Sequence, residues 1–81
     1  MDVHVRLFAI ARDLAGTDST TITIPPDTEV SRALERIIEQ FPRLREWKDH
    51  VRVAVNCEYV APDHLLRDDD EMAIIPPVSG G

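Results

Sequence analysis

The chain is poor in the residues that most often carry chemistry. It has one cysteine, Cys57, so no disulfide can form within it. Its three glycines stand at positions 16, 80 and 81, which leaves no glycine-rich loop to cradle a phosphate. Positive charge is in deficit: nine Lys plus Arg face fifteen Asp plus Glu, a formal charge of −6. Phosphate backbones are gripped by Lys and Arg, so nucleic acid is not an expected partner. An acidic surface instead suits solubility and a basic protein partner. No apolar run approaches the ~20 residues of a membrane span. Met1-Asp2-Val3-His4 lacks the basic and apolar stretches of a signal peptide. A soluble, cytoplasmic protein with no membrane partner is the expectation.

The usual catalytic and metal-binding patterns are missing as well. His4, His50 and His64 have no HxxxH or HExxH spacing, so no metal site is expected. Asp68-Asp69-Asp70-Glu71 offers hard oxygen ligands, but its spacing fits no calcium loop and reads as a solvated turn. Cys57 falls on the apolar face of its segment, where a small buried residue is expected rather than a reactive thiol. No Ser–His–carboxylate set can be argued from spacing at this length.

What remains is a single small domain. With 81 residues and 43% hydrophobic content, the chain can fold, but around one modest core. An enclosed active site with its own cofactor is hard to build at that size. A carrier, subunit or binding module fits better than a self-sufficient enzyme.

Apolar and polar residues alternate over 3–8, so Val3, Val5 and Leu7 share one strand face. Phe8 then lies on the face that is otherwise polar. Residues 9–18 read as a connection with one helical turn, in which Ile10 and Leu14 are spaced i, i+4 and Gly16 is the stop. Residues 20–24 form a second, β-branched strand, ended by Pro25 and Pro26. Val30, Ala33, Leu34, Ile37, Ile38 and Phe41 make one apolar stripe, which predicts a helix over 29–41. Thr28 is its expected N-cap, and Pro42 ends it. Leu44 and Trp47 fold back on the core edge. Residues 51–57 are a third strand, 59–61 a short return strand, and Met72 to Ile75 the last. A helix with one apolar stripe covers one face of a sheet. The expected fold is therefore α+β, a single mixed sheet packed on one long helix. The other sheet face stays open and carries Phe8, Ile75 and Tyr59 among polar residues, a docking surface by default. Arg6 and Arg12 are candidates for contact with an acidic partner or anionic ligand.

The domain spans 1–75 and leaves 76–81 as an extended, flexible tail, Pro76-Pro77-Val78-Ser79-Gly80-Gly81. The prolines have no amide to donate and stop the sheet ladder. Six extended residues reach roughly 20 Å. Gly80 and Gly81 have no side chains, so they fit a narrow channel. The group at the tip is the α-carboxylate of Gly81. A carboxylate becomes reactive once ATP converts it to an acyl-adenylate. A sulfur nucleophile then gives a thiocarboxylate, and a lysine amine gives an isopeptide. Either route needs an outside activating enzyme.

This order of elements, with the terminal Gly-Gly, resembles the ubiquitin-like β-grasp sulfur carriers. Three segments are similar to the small-subunit family of molybdopterin synthase: residues 6–16 (RLFAIARDLAG), Val53-Ala54-Val55-Asn56, and, most specifically, residues 68–81 (DDDEMAIIPPVSGG). The resemblance implies that a ubiquitin-activating-type enzyme adenylates Gly81 with ATP, no cofactor being bound by the carrier itself. Sulfur is then installed, and the tail delivers it inside the large subunit to cyclic pyranopterin monophosphate. It also implies a heterotetramer of two large and two small subunits. Phe8, Arg12, Tyr59, Ile75 and the tail residues 76–80 would stand at partner-binding positions. Two positions depart from the family pattern: Ile75 is often phenylalanine, and Asp69 is often glycine. Neither touches the tail. The alternatives are a sulfur carrier for thiamine or cysteine synthesis, a modifier forming isopeptides on lysines, and a β-grasp interaction domain with an inert terminus.

Overall fold

A computed structural model describes residues 1–77 of the chain. Its elements are β1 (Asp2–Leu7), α1 (Ala9–Ala15), β2 (Ser19–Thr23), α2 (Val30–Gln40), a 3-10 helix (Pro42–Trp47), β3 (Arg52–Val55), β4 (Glu58–Tyr59) and β5 (Glu71–Ile75). The five strands form one mixed sheet in the order β2-β1-β5-β3-β4. β1 and β5 run parallel, and the other neighbours pair antiparallel. This is the expected α+β architecture.

Strand alternation decides which sheet face is covered. Val3, Val5 and Leu7 of β1 and Met72 and Ile74 of β5 are all at most 2% exposed. They pack with Ile22, Val53 and Val55 against Val30, Ala33, Ile37 and Ile38 of α2. Leu44 and Leu66 close the ends of this core. Leu34 and Phe41 pack on it half-buried, so the stripe read from the sequence is the buried one. No helix among the described residues is long and apolar enough to cross a membrane.

Local chemistry corrects the expected boundaries in three places. Thr28 does not cap α2: its hydroxyl donates to the Pro25 carbonyl at 2.7 Å and closes the preceding turn. Glu29 takes the cap position without a side-chain bond. The loop after β4 does the capping, because the Val30 and Ser31 amides donate to the carbonyls of His64 and Pro62, both at 2.9 Å. Residues 9–15 are two helical turns rather than one, and Ala11, not Ile10, is the residue buried there. Gly16 does end the helix, with φ 75°.

The third correction concerns Cys57. β3 stops at Val55, and Asn56 and Cys57 form a two-residue hairpin turn with φ values of 50° and 72°. Both central residues of such a turn need positive φ, as in type I′. Cys57 is therefore exposed and not on the apolar face. Asn56 ties this turn to the start of β5. Its amide group donates to Asp70 Oδ1 at 2.9 Å and its side-chain oxygen accepts from the Glu71 amide at 3.0 Å. Asp69 adopts φ 66°, a left-handed geometry that favours glycine and that Asp tolerates better than most other residues.

Candidate functional site

Sheet register determines what the uncovered face presents. Arg6 of β1 lies beside Ala73 of β5, and Ala73 lies beside Ala54 of β3. One step along, Ile75 pairs with Arg52, and Ala54 pairs with Tyr59 of β4. Phe8 continues β1 on this side, its amide donating to the Ile74 carbonyl at 3.3 Å. Two alanines thus floor a shallow trough with Phe8 on one flank and Tyr59 on the other. Phe8 is 41% exposed and Tyr59 61%. Ile75 is half-buried between them.

Both aromatic rings carry a guanidinium. Arg6 stands over Phe8 at 5.6 Å from the ring centroid, and Arg52 over Tyr59 at 4.8 Å. The attraction of a cation for the ring face holds the arginine stems down across the apolar surface. The far end of the same face differs in charge. There His4 neighbours Glu71, contacts Asp69 Oδ1 at 3.3 Å, and lies near the Asp68–Asp70 turn.

The expected site residues therefore separate into groups. Phe8, Tyr59 and Ile75 do share one face. Arg12 sits one helical turn beyond Phe8 on α1, exposed, with its Nε 3.8 Å from Asp13 Oδ1. Pro76 is buried against the domain and Pro77 is exposed, so the packed body continues one residue past Ile75. Val78, Ser79, Gly80 and Gly81 lie outside the described residues. The sequence puts Ala73 on the side of Ile75 by alternation but does not single out Arg52 and Ala54 as parts of this face. Strand alternation puts these two opposite Val53 and Val55, but only the register joins them to Arg6 and Ile75.

A groove of about 760 Å³ runs beside this face, between α2 and the β3–β4 edge, lined by Leu34, Val51, Val60 and Tyr59. A Glu35–Lys48 ion pair stands on its rim. The hydrogen bond from Lys48, and then its charge, hold the Glu35 carboxyl below the usual carboxylate range. Among the described residues, no cluster of His, Cys, Asp and Glu could hold a metal. The end of the open face around Ala54, Ala73 and Ile75 presents apolar and cationic side chains, a combination suited to binding another protein.

A mixed sheet on one principal helix, with an apolar open face and a glycine-ended segment after its last strand, defines a β-grasp domain of the ubiquitin-like class. The ThiS family model matches residues 5–81, and the chain belongs to that family. The molybdopterin synthase sulfur carrier subunit of Arabidopsis thaliana is 37% identical over 81 residues, covering all of this chain and 84% of that protein. The crystal structure of SAMP1 from Haloferax volcanii, a small archaeal modifier protein, superposes with a TM-score of 0.90 at 30% identity and covers both chains fully. A complex of subunits 1 and 2 of the molybdopterin-converting factor from Helicobacter pylori matches with a TM-score of 0.71 at 26% identity, again over both chains in full.

Proposed function

We propose that this protein is the sulfur carrier of a molybdopterin synthase. The observation that carries the reading is the full-length likeness to a molybdopterin synthase sulfur carrier subunit, together with a family match that extends through Gly81. In this reading the Gly81 carboxylate attacks the α-phosphorus of ATP in an adenylating enzyme, and pyrophosphate leaves. The sulfur of a sulfide-level donor attacks the acyl carbon and displaces AMP, leaving a thiocarboxylate; a persulfide donor gives an acyl disulfide first, which a thiol reduces to the thiocarboxylate with release of a disulfide. Residues 77–81, beyond the packed Pro76, act as the arm that carries that sulfur into the large subunit, where it is transferred to cyclic pyranopterin monophosphate. The body docks through Phe8, Ile75 and Tyr59, with Arg12 at the rim. The chain supplies a reagent and a handle, and the catalytic pockets belong to its partners. It works in the cytoplasm as one of the two small subunits of a heterotetramer.

Intact-mass measurement tests this directly. After incubation with the adenylating enzyme of the same genome, ATP and a sulfur donor, the protein gains the mass difference between sulfur and oxygen. No such species, with the enzyme shown to be active on its other substrates, would refute the reading. The likeness to SAMP1 favours a second one, in which the adenylated tail is attacked by lysine amines. Lysine-linked conjugates ending in this tail, without the thiocarboxylate, would select it.

A further inference from the structure

The chain carries a formal charge of −6, so its bulk electrostatics favour a basic partner. The face that docks in the reading above has the opposite character. Around the trough of Ala54, Ala73 and Ile75 stand Arg6 and Arg52, one on each side. Each is laid over an aromatic ring, and among the described residues neither makes an ion pair with a carboxylate. The acidic side chains of the sheet face gather at the other end, at Glu71 and the Asp68–Asp70 turn, where they engage His4 and Asn56. The protein is thus polarised along its strands, with the cationic end where β5 finishes.

We propose that Arg6 and Arg52 determine the specificity of this face, selecting a partner that seats an apolar ridge in the trough and brings a carboxylate to each side of it. The proposal rests on the reading that the open face docks the synthase large subunit, and it adds the chemistry by which that partner is recognised. A guanidinium held over a ring face is pre-organised, because its rotamer freedom is already restricted. The planar fork of donors matches a carboxylate with two parallel bonds. The same ring bounds the trough, so covering the aromatic and pairing the arginine occur in one step and exclude water from both. A partner with lysine or arginine at those two places meets like charge and is rejected. Local complementarity on this face therefore opposes, and overrides, what net charge alone favours.

The two electrostatic effects differ in sign, and that makes the experiment decisive. The large subunit encoded in the same genome is titrated calorimetrically with the parent protein, R6Q, R52Q, R6Q/R52Q, R6K/R52K and, as a docking control, F8A. Charge removal makes the chain two units more negative than −6. If net charge governs binding to a basic surface, R6Q/R52Q binds more tightly; under the proposal each single change weakens binding by on the order of tenfold. The lysine variants keep the charge, lose the fork and recover only part of that loss. Raising the salt concentration weakens the parent and leaves R6Q/R52Q nearly unaffected. Reversing one partner carboxylate to arginine restores binding of R6E or R52E. The proposal is overturned if the arginine variants bind as the parent does or better while F8A is impaired, and in that case the docking reading stands. If F8A also binds as the parent does, the docking reading falls and the proposal with it. Thermal melts of each variant, expected within a few degrees of the parent for such exposed sites, separate binding loss from unfolding.

Discussion

Tyr59 and Ile74 provide the sharpest test of which sheet face serves the core and which serves a partner. Tyr59 is 61% exposed, and Ile74 is 1% exposed. A tyrosine side chain offers about 200 Å², so roughly 120 Å² remain for a partner to cover. At about 25 cal/mol per Å² that area is worth about 3 kcal/mol, which sets the upper limit of the binding loss in Tyr59→Ala. The dissociation constant for the large subunit then rises by up to on the order of a hundredfold. Stability changes far less. The substitution removes little more than a strand preference of about 1 kcal/mol from a two-residue edge strand. Ile74→Ala does the reverse: it opens a cavity beneath α2, costs about 2–5 kcal/mol and lowers the melting temperature by roughly 10 °C or more. Calorimetric binding and circular-dichroism melting, run on both variants, resolve the two effects. A Tyr59→Ala protein that melts as early as Ile74→Ala, or that binds the large subunit unchanged, refutes the assignment of faces.

Lys48→Met removes the partner that lowers the Glu35 pKa. A carboxyl whose folded-state pKa is depressed stabilises the fold above its unfolded value of about 4.3, and loses that contribution as pH falls through the folded value. The variant is therefore less stable than the parent at pH 7, and the gap narrows in acid. Urea titrations giving the same gap at both pH values would contradict this. Gly16→Ala places a side chain at φ 75° with nothing within 4 Å of its Cβ, so the cost is backbone strain alone, about 1 kcal/mol by urea denaturation. A loss several times larger would show that Gly16 does more than end α1. Deleting Gly81 abolishes thiocarboxylate formation in the mass assay while leaving the melting temperature unchanged, and a fall in melting temperature would point to a structural role for the tail.

Much of this fold is legible in the sequence because it rests on periodicity. β1 and α2 each show one clean period whose apolar side faces the core, and in β5 alternation separates buried Met72 and Ile74 from Ala73 and Ile75 on the open side. What was illegible rests on partners distant along the chain. Thr28 has the chemistry of a cap, but the carbonyls of the 61–64 loop reach the α2 amides, and its hydroxyl finds Pro25. Asn-Cys is not a standard hairpin signal, so Cys57 read as an extension of β3. Pinning Asn56 to Asp70 and Glu71 is what stabilises the turn there. α1 begins on Ala9, a non-glycine residue at φ 50°, which composition does not advertise. On the open face, Phe8 with Arg6, Ile75 and Tyr59 follow from alternation, whereas their grouping with Arg52 across the strands is a property of register.

The strand order has a consequence for how such a chain is made. β5, the last strand to be synthesised, occupies the middle of the sheet. Until residues 71–75 emerge from the ribosome, β1–β2 and β3–β4 are two hairpins with no ladder between them. Completion of the body thereby waits on the segment that follows every other element described. A product terminated before residue 71 lacks the strand that joins its two halves, so it offers partners no finished surface and quality-control proteases an open one.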